Sequence, residues 1–293
     1  MKIKNNMKTC LIISAGVVLL AVCLSIVGLG INLGIDFAGG MSMQYDLGTS
    51  VTQAEVEAAL VSDDYNVTIQ GADRSEVLVR IKAVDEDGVQ GVQEDVAARL
   101  LAVWPGAAAV GDVNYVGPVA GATLIRNAVM SVLIAAALML VYIAFRFDFN
   151  SGLAAVLGLM HDVVIMLAFM VILRNFVEMN SSFIAAMLTI VGYSINNTIV
   201  IFDRIRENAR RMGGAAREEV VNVSVKECLG RTINTTLTTL ITITALYILG
   251  VDSIKEFALP IIVGILSGVY SANMINGYIW AALETRKLQA KKA

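Results

Sequence analysis

The chain has 293 residues, 57% of them hydrophobic and 16% charged, with a formal net charge of −3 and a mean hydropathy of +0.71. This lies far above soluble averages and excludes a water-soluble globular protein. A nucleic-acid surface is also excluded, because no basic patch coincides with stacking aromatics.

Apolar stretches at 9–30, 123–145, 151–173, 182–203, 232–251 and 257–281 are predicted to cross a bilayer. Each approaches the ~20 apolar residues that a crossing needs. Backbone polar groups in hydrocarbon must bond internally, so these spans can only be helices. In the first span, Leu20-Ala21-Val22-Cys23 has the outline of a bacterial lipoprotein cleavage box. Val22 stands where a small residue belongs, however, and the apolar run continues to Leu33, so an uncleaved anchor is expected. The cysteines are Cys10, Cys23 and Cys228; none falls in 31–120, which therefore has no disulfide framework.

Lys2, Lys4 and Lys8 precede the first span and argue for a cytoplasmic N-terminus. Six crossings then place Arg146, a long loop at 204–231 and the tail at 284–293 on that same side. The loop carries Arg204, Arg206, Arg210, Arg211, Arg217, Lys226 and Arg231, and the tail Arg286, Lys287, Lys291 and Lys292. The outer turns hold only Arg174 and Lys255. The expected organisation is an N-terminus and first span over 1–30, an extracytoplasmic domain over 31–120, a five-helix membrane domain over 121–283 and a cytoplasmic tail.

The outer domain is acidic, with fourteen carboxylates against Arg74, Arg80, Lys82 and Arg99. Met41, Met43, Tyr45 and Leu47 alternate with polar residues, the period of a half-buried strand. Thr52-Gln53-Ala54-Glu55 is a capping box opening a short helix with Val56, Ala59 and Leu60 on one face. Strands are predicted at 66–70 and 76–83, an amphipathic helix at 88–103 and a last strand at 108–116, with Trp104-Pro105-Gly106 stopping the helix. The order βαββαβ is that of a ferredoxin-like α+β domain. No constellation of catalytic groups occurs in it.

Ionisable residues inside spans are costly and functional suspects. His161 and Asp162 lie about 15 Å along their helix, near mid-membrane. His161 is the only histidine, and a lone imidazole cannot build a metal site. The fourth span contains Gly192-Tyr193-Ser194-Ile195-Asn196-Asn197-Thr198; Tyr193 and Asn197 share a face, as do Ser194 and Thr198. The fifth answers with Thr232, Thr235, Thr239 and Thr242 in a stripe, beside Asn234, Thr236 and Thr238. A hydrated seam between these two spans is expected; the alternative is that the threonines back-bond to their own helix. Gly264 and Gly268 of the sixth span have the spacing of close helix packing, and Asn273 and Asn276 follow them. At the inner face, Asp203 and Glu207 are expected to pair with Arg206 and Arg210, and 215–229 to lie along the membrane surface.

Several segments together resemble the SecD/SecF family of bacterial protein-export subunits. They are Gly34-Ile35-Asp36-Phe37-Ala38-Gly39-Gly40, Val116-Gly117-Pro118, His161-Asp162, Gly192-Tyr193-Ser194-Ile195-Asn196, Phe202-Asp203-Arg204-Ile205-Arg206-Glu207-Asn208 and Arg231-Thr232-Ile233-Asn234-Thr235-Thr236. The resemblance covers essentially the whole chain, and one compact outer domain fits the SecF branch better than SecD. It implies a polytopic fold of the resistance-nodulation-division type and a SecD-like partner as the pseudo-symmetric half. Further implied contacts are the SecYEG channel, YajC, YidC, membrane lipid and the translocating preprotein. It also implies that ion movement across the plasma membrane drives pulling on preproteins, with no cofactor. One proton descending 100 mV yields about 2.3 kcal/mol, enough to bias a two-state lever.

The resemblance implies a proton relay in which Arg231 partners the residue at the Asn197 position; Asp162, His161 and Thr235 join the candidate polar relay as polar residues of the spans. Family members usually carry aspartate where Asn197 stands, and an amide does not titrate. The expectation is therefore that the load moves to Asp162 and acids of the partner, that the complex couples to another cation, or that it is only weakly ion-driven. Two rival readings remain at the sequence level. One is half of an RND-type small-molecule exporter. The other is a rhomboid-type intramembrane protease in which a histidine activates Ser194. No P-loop is present, so nucleotide hydrolysis has no support.

Overall fold

The structure is a computed structural model describing residues 3–61, 65–71, 73–174, 176–250 and 252–290, with side chains described from residue 7 and again from residue 254 after the gap at 251. Lys2, Lys291 and Lys292, used above for orientation, lie outside the described residues, as does the side chain of Lys4. Among the described residues, six helical runs are long and apolar enough to span a membrane. They are α1 (Ile3–Ile26), α5 (Pro118–Arg146), α6 (Phe149–Ile172), α7 (Ser181–Arg211), α8 (Arg217–Leu249) and the continuous run of α9 (Asp252–Ser271), a π-helical turn (Ala272–Asn276) and α10 (Gly277–Ala290).

Between α1 and α5 lies the α+β domain: α2 (Ile35–Ala38), β1 (Gly40–Asp46), α3 (Gln53–Leu60), β2 (Tyr65–Gln70), β3 (Glu76–Lys82), α4 (Val89–Val103), β4 (Ala108–Ala109) and β5 (Asn114–Val116). The antiparallel sheet has the order β2-β3-β1-β4, the ferredoxin-like arrangement. The last predicted strand is split. Gly111 turns at φ +77°, so β4 and β5 pair separately with β1. The alternating residues of β1 (Met41, Met43, Tyr45) and β3 (Val77, Val79, Ile81) face Val56, Leu60, Val96 and Leu100 of the helices. Val103, the last residue of α4, is exposed, because the helix ends at Trp104. The capping box forms as expected: Glu55 N donates to Thr52 Oγ1 at 3.4 Å and Thr52 N to Glu55 Oε2 at 2.8 Å. Thr52 N and Thr52 Oγ1 both donate to Glu55 Oε2, each at 2.8 Å, and hold the Glu55 carboxyl below its ordinary value.

The Gly39-Gly40 pair lies where the chain enters this domain, beside the point where it leaves. Gly40 has φ +143°, and a Cβ there would meet Ile81 O at 2.2 Å. Gly39 lies against Val116 O and Pro118, and β1 pairs with β5, so the incoming and outgoing strands are stapled together. Gly117 then caps α5 and Pro118 opens it. Asp36 Oδ2 accepts from Ser181 N at 2.9 Å at the start of α7.

Further bonds hold the domain to the bundle. Arg80 Nη1 lies 3.0 Å from Glu256 Oε1 and 3.9 Å from Glu178 Oε2. Lys82 Nζ lies 3.2 Å from Glu178 Oε1, to which Asn66 Nδ2 also donates at 2.8 Å. Backbone bonds from Gly34 N to Met179 O and from Met179 N to Asn32 O, both 2.8 Å, add a short parallel bridge.

Within the bundle, half or more of the span residues of α6, α7 and the α9–α10 run are buried, against few in α1, α5 and α8. Gly264 and Gly268 let α9 approach α7: a Cβ on Gly264 would meet Ile190 at 2.6 Å, and one on Gly268 would meet Ser194 at 3.2 Å.

The loop expected at 204–231 is helical over most of its length. Only 212–216 separates α7 from α8, so both helices continue far past the bilayer-length spans. The cause is a stripe at helical spacing: Val220, Val221, Ser224, Val225 and Cys228 are all buried, most of them packed with Phe202 and Ile205 of α7.

Candidate functional site

The most buried ionisable group in the bundle is Asp162, in the middle of α6 with no solvent exposure. Its Oδ2 accepts from Ser194 Oγ of α7 at 2.6 Å and from Ser271 Oγ of α9 at 2.9 Å. Its Oδ1 accepts from Ser267 Oγ of α9 at 2.7 Å and lies 3.1 Å from His161 Nδ1. Two helices thus converge on the α6 carboxylate through three serine hydroxyls. Serine suits the position because it delivers a donor while letting helices approach closely. On its far side, His161 Nε2 lies 2.8 Å from both Ser14 Oγ of α1 and Tyr270 Oη. The Tyr270 ring stands edge-on to the imidazole at 5.3 Å between centroids.

The hydrophilic track continues from Ser271 into the π turn. Asn276 Nδ2 donates to Thr198 Oγ1 of α7 at 2.9 Å, and Gly158 of α6 makes room for that amide, since a Cβ there would meet Asn276 Oδ1 at 1.9 Å. Asn197 is 4% exposed and its Nδ2 has no hydrogen-bond partner, nor have Asn273 Oδ1 and Asn276 Oδ1. Buried amides left unsatisfied are costly, and π turns recur at functional sites.

The structure gathers His161 and Asp162 and keeps Asn197 buried, but it places Arg231 and Thr235 elsewhere. Both are exposed on α8. Thr235 Oγ1 donates to Arg231 O at 2.9 Å and to Thr232 O at 3.1 Å. Thr239 and Thr242 likewise bond their own helix, at 2.9 and 3.0 Å. The seam expected between the fourth and fifth spans is therefore reduced to one side-chain bond, Tyr193 Oη to Thr236 Oγ1 at 3.2 Å. A threonine can satisfy its hydroxyl one turn back without a partner helix, and here it does. The polar interior lies between α6, α7 and α9 instead.

Gly192 is exposed with open space where a Cβ would stand. At the far end of the bundle the ion pairs differ from those expected. Asp203 pairs with Arg146 at 3.6 Å. Arg204 takes both Glu207 and Glu227 at 2.6 Å.

Sequence reasoning missed Ser14, Ser267, Tyr270 and Ser271. The signal was available: Ser267, Tyr270 and Ser271 stand at i, i+3 and i+4 in an otherwise apolar span. The serine–histidine pair of the protease reading is not formed, because Ser194 gives its hydroxyl to Asp162.

Fold and site together define a polytopic helical membrane protein with an inserted ferredoxin-like domain and a buried polar core. The pattern of protein export membrane protein SecD/SecF, C-terminal, matches residues 96–286, and the SecD/SecF GG motif matches 24–51. The chain is 38% identical over 268 residues to the protein translocase subunit SecF of Alicyclobacillus acidocaldarius, covering 89% of this chain and 85% of that one. It is 39% identical to SecF of Thermodesulfovibrio yellowstonii, covering 82% and 80%. It is also 34% identical to SecDF of Bacillus subtilis, covering 90% of this chain and 35% of that protein. The crystal structure of SecDF from Thermus thermophilus superposes with a TM-score of 0.77 at 35% identity, over 96% of this chain and 38% of that one. The chain belongs to the SecD/SecF family. Its relatives are protein translocase subunits rather than enzymes, which gives it a role in Sec protein export. SecDF relatives, in which the matching region is about two fifths or less of the chain, point to a SecD-like partner.

Proposed function

We propose that this chain is the SecF-like half of a heterodimer that uses an ion gradient across the plasma membrane to assist preproteins leaving the SecYEG channel. YajC and YidC are further expected neighbours. The N- and C-termini lie in the cytoplasm and the α+β domain outside, as the charge of the connecting segments favours. The observation that carries the reading is Asp162: a fully buried carboxylate held by three serines from two neighbouring helices. Such a group in mid-bilayer is expensive to maintain without a use. Asp162 takes up and releases the coupling ion, His161 links it toward Ser14 and Tyr270, and Asn197 lines the track without titrating.

The second polar tract supports the partner. Arg231, Asn234, Thr235, Thr238 and Thr242 form an exposed stripe on α8, where lipid contact alone would favour leucine. That stripe faces the SecD-like subunit, whose acids complete a relay with Arg231. Export into inverted membrane vesicles, measured before and after an ionophore collapses the proton gradient, tests the coupling. A slower rate after collapse is expected; an unchanged rate eliminates proton drive.

A further inference from the structure

At the end of the bundle remote from the α+β domain, six arginines flank the turns that join α5 to α6 and α7 to α8, apart from Arg231 and Arg286. Arg146, Arg204 and Arg211 have carboxylate partners, at 3.6 Å to Asp203, 2.6 Å to Glu227 and 3.2 Å to Glu227. Among the described residues, Arg206, Arg210 and Arg217 have none within ion-pair distance. Arg206 Nη1 donates only to the Arg146 carbonyl, at 3.3 Å. Arg217 Nε is buried with no hydrogen-bond partner. Arg206, Arg210 and Arg217 all line one cavity of about 270 Å³ among the ends of α6, α7, α8 and α10, which Arg231 and Arg286 do not line.

The cavity has two chemical halves. Its apolar wall is Phe147, Phe202, Ile205 and Trp280. Its polar rim holds the guanidinium groups and two carboxylates, both already engaged. Asp148 caps α6 through Ser151 N at 3.2 Å, and Glu284 accepts from Asn150 Nδ2 at 2.7 Å. Guanidinium forks match phosphate oxygens in pairs, and a buried donor without an acceptor is costly until one arrives. An apolar wall beside an arginine cluster fits a ligand that is greasy at one end and anionic at the other. Basic pockets between membrane helices bind phosphate headgroups in this manner.

We propose that Arg206, Arg210 and Arg217 bind the phosphate of an anionic phospholipid headgroup, tying the ends of α7 and α8 to the membrane surface. The full-length chain with its SecD-like partner, stripped of lipid and titrated with dioleoyl phosphatidylglycerol, dioleoyl phosphatidylcholine or inorganic phosphate, gives the test by native mass spectrometry. Phosphatidylglycerol adducts are expected to persist where phosphatidylcholine adducts do not. The exposed-site variant R210Q is expected to weaken them about tenfold, and R206Q/R210Q/R217Q to abolish them. R146Q/R211Q, which removes paired arginines, is expected to leave them in place. Equal retention by wild type and R210Q overturns the proposal even if the triple variant does not assemble. Displacement of the lipid by millimolar inorganic phosphate overturns the lipid assignment in favour of a soluble phosphate ligand.

Discussion

Two hydrophilic tracts cross this bundle, and their residue types are nearly the same. The tract around Asp162 draws serines and a histidine from α6, α7 and α9, and continues to asparagines of the π turn. The tract on α8 draws threonines, an asparagine and an arginine from a single helix. In the first, hydroxyls reach across helices to one carboxylate. In the second, hydroxyls turn back to their own backbone and the face is left exposed. Polarity along a span therefore does not say whether a face looks into its own bundle or away from it. The acceptor decides: with a buried carboxylate nearby, hydroxyls converge, and without one they bond locally.

The contrast is broken most severely at the carboxylate itself. D162A leaves three serine hydroxyls and His161 without their shared acceptor, and a loss of about 3 kcal/mol of stability is expected. Thermal unfolding in detergent reads it, and an unchanged melting temperature would show the cluster to be incidental. G158A comes next. Its methyl would occupy the Asn276 amide position, 1.9 Å from Oδ1, and overpacking of about 1–3 kcal/mol is expected in the same assay. The same change at Gly192, which faces open space, should cost little.

The junction with the α+β domain is a third tract, charged rather than neutral. Replacing Glu178 with Gln removes the carboxylate shared by Arg80, Lys82 and Asn66. Hydrogen exchange at Asn32–Gly34 and Met179 is expected to accelerate about tenfold, equivalent to about 1.4 kcal/mol of local opening. On α8, T238V and T242V are expected to change the stability of the isolated chain by less than about 0.5 kcal/mol. They should nonetheless lower the yield of SecD-like partner that co-purifies. Loss of stability without loss of partner would reverse the assignment of that face.

The smallest effect lies in the capping box. Thr52 holds the Glu55 carboxyl below its unfolded value, so its contribution is fully present above about pH 4.5. It is lost as pH falls through the lower folded value. T52A should remove this segment of the acid-unfolding profile, followed by circular dichroism, while leaving the profile near neutrality unchanged in shape.

Much of this architecture was legible because the signals were local. Hydropathy located the six spans, alternation in β1 and β3 located the sheet, and Thr52 and Glu55 announced a helix start. The extent of α7 and α8 was harder, since charged residues past the bilayer read as a loop. Only the buried stripe from Val220 to Cys228 shows that the helix continues. The polar core was half visible: His161, Asp162 and Asn197 stood out as intramembrane polar groups. Ser267 and Ser271 did not, because a serine beside Gly264 and Gly268 reads as helix packing. The π turn at Ala272–Asn276 has no sequence signature of its own, and neither does the choice between facing into the bundle and facing away from it. Both are settled by three-dimensional packing.

The direct test of Asp162 as the coupling group is the export rate of D162N vesicles with and without ionophore, beside wild type. Asparagine fills the same space and keeps a carbonyl acceptor, so assembly is expected to survive. A slow rate that the ionophore no longer changes is expected if Asp162 carries the coupling ion. A D162N rate that equals wild type and still falls when the gradient collapses would contradict it.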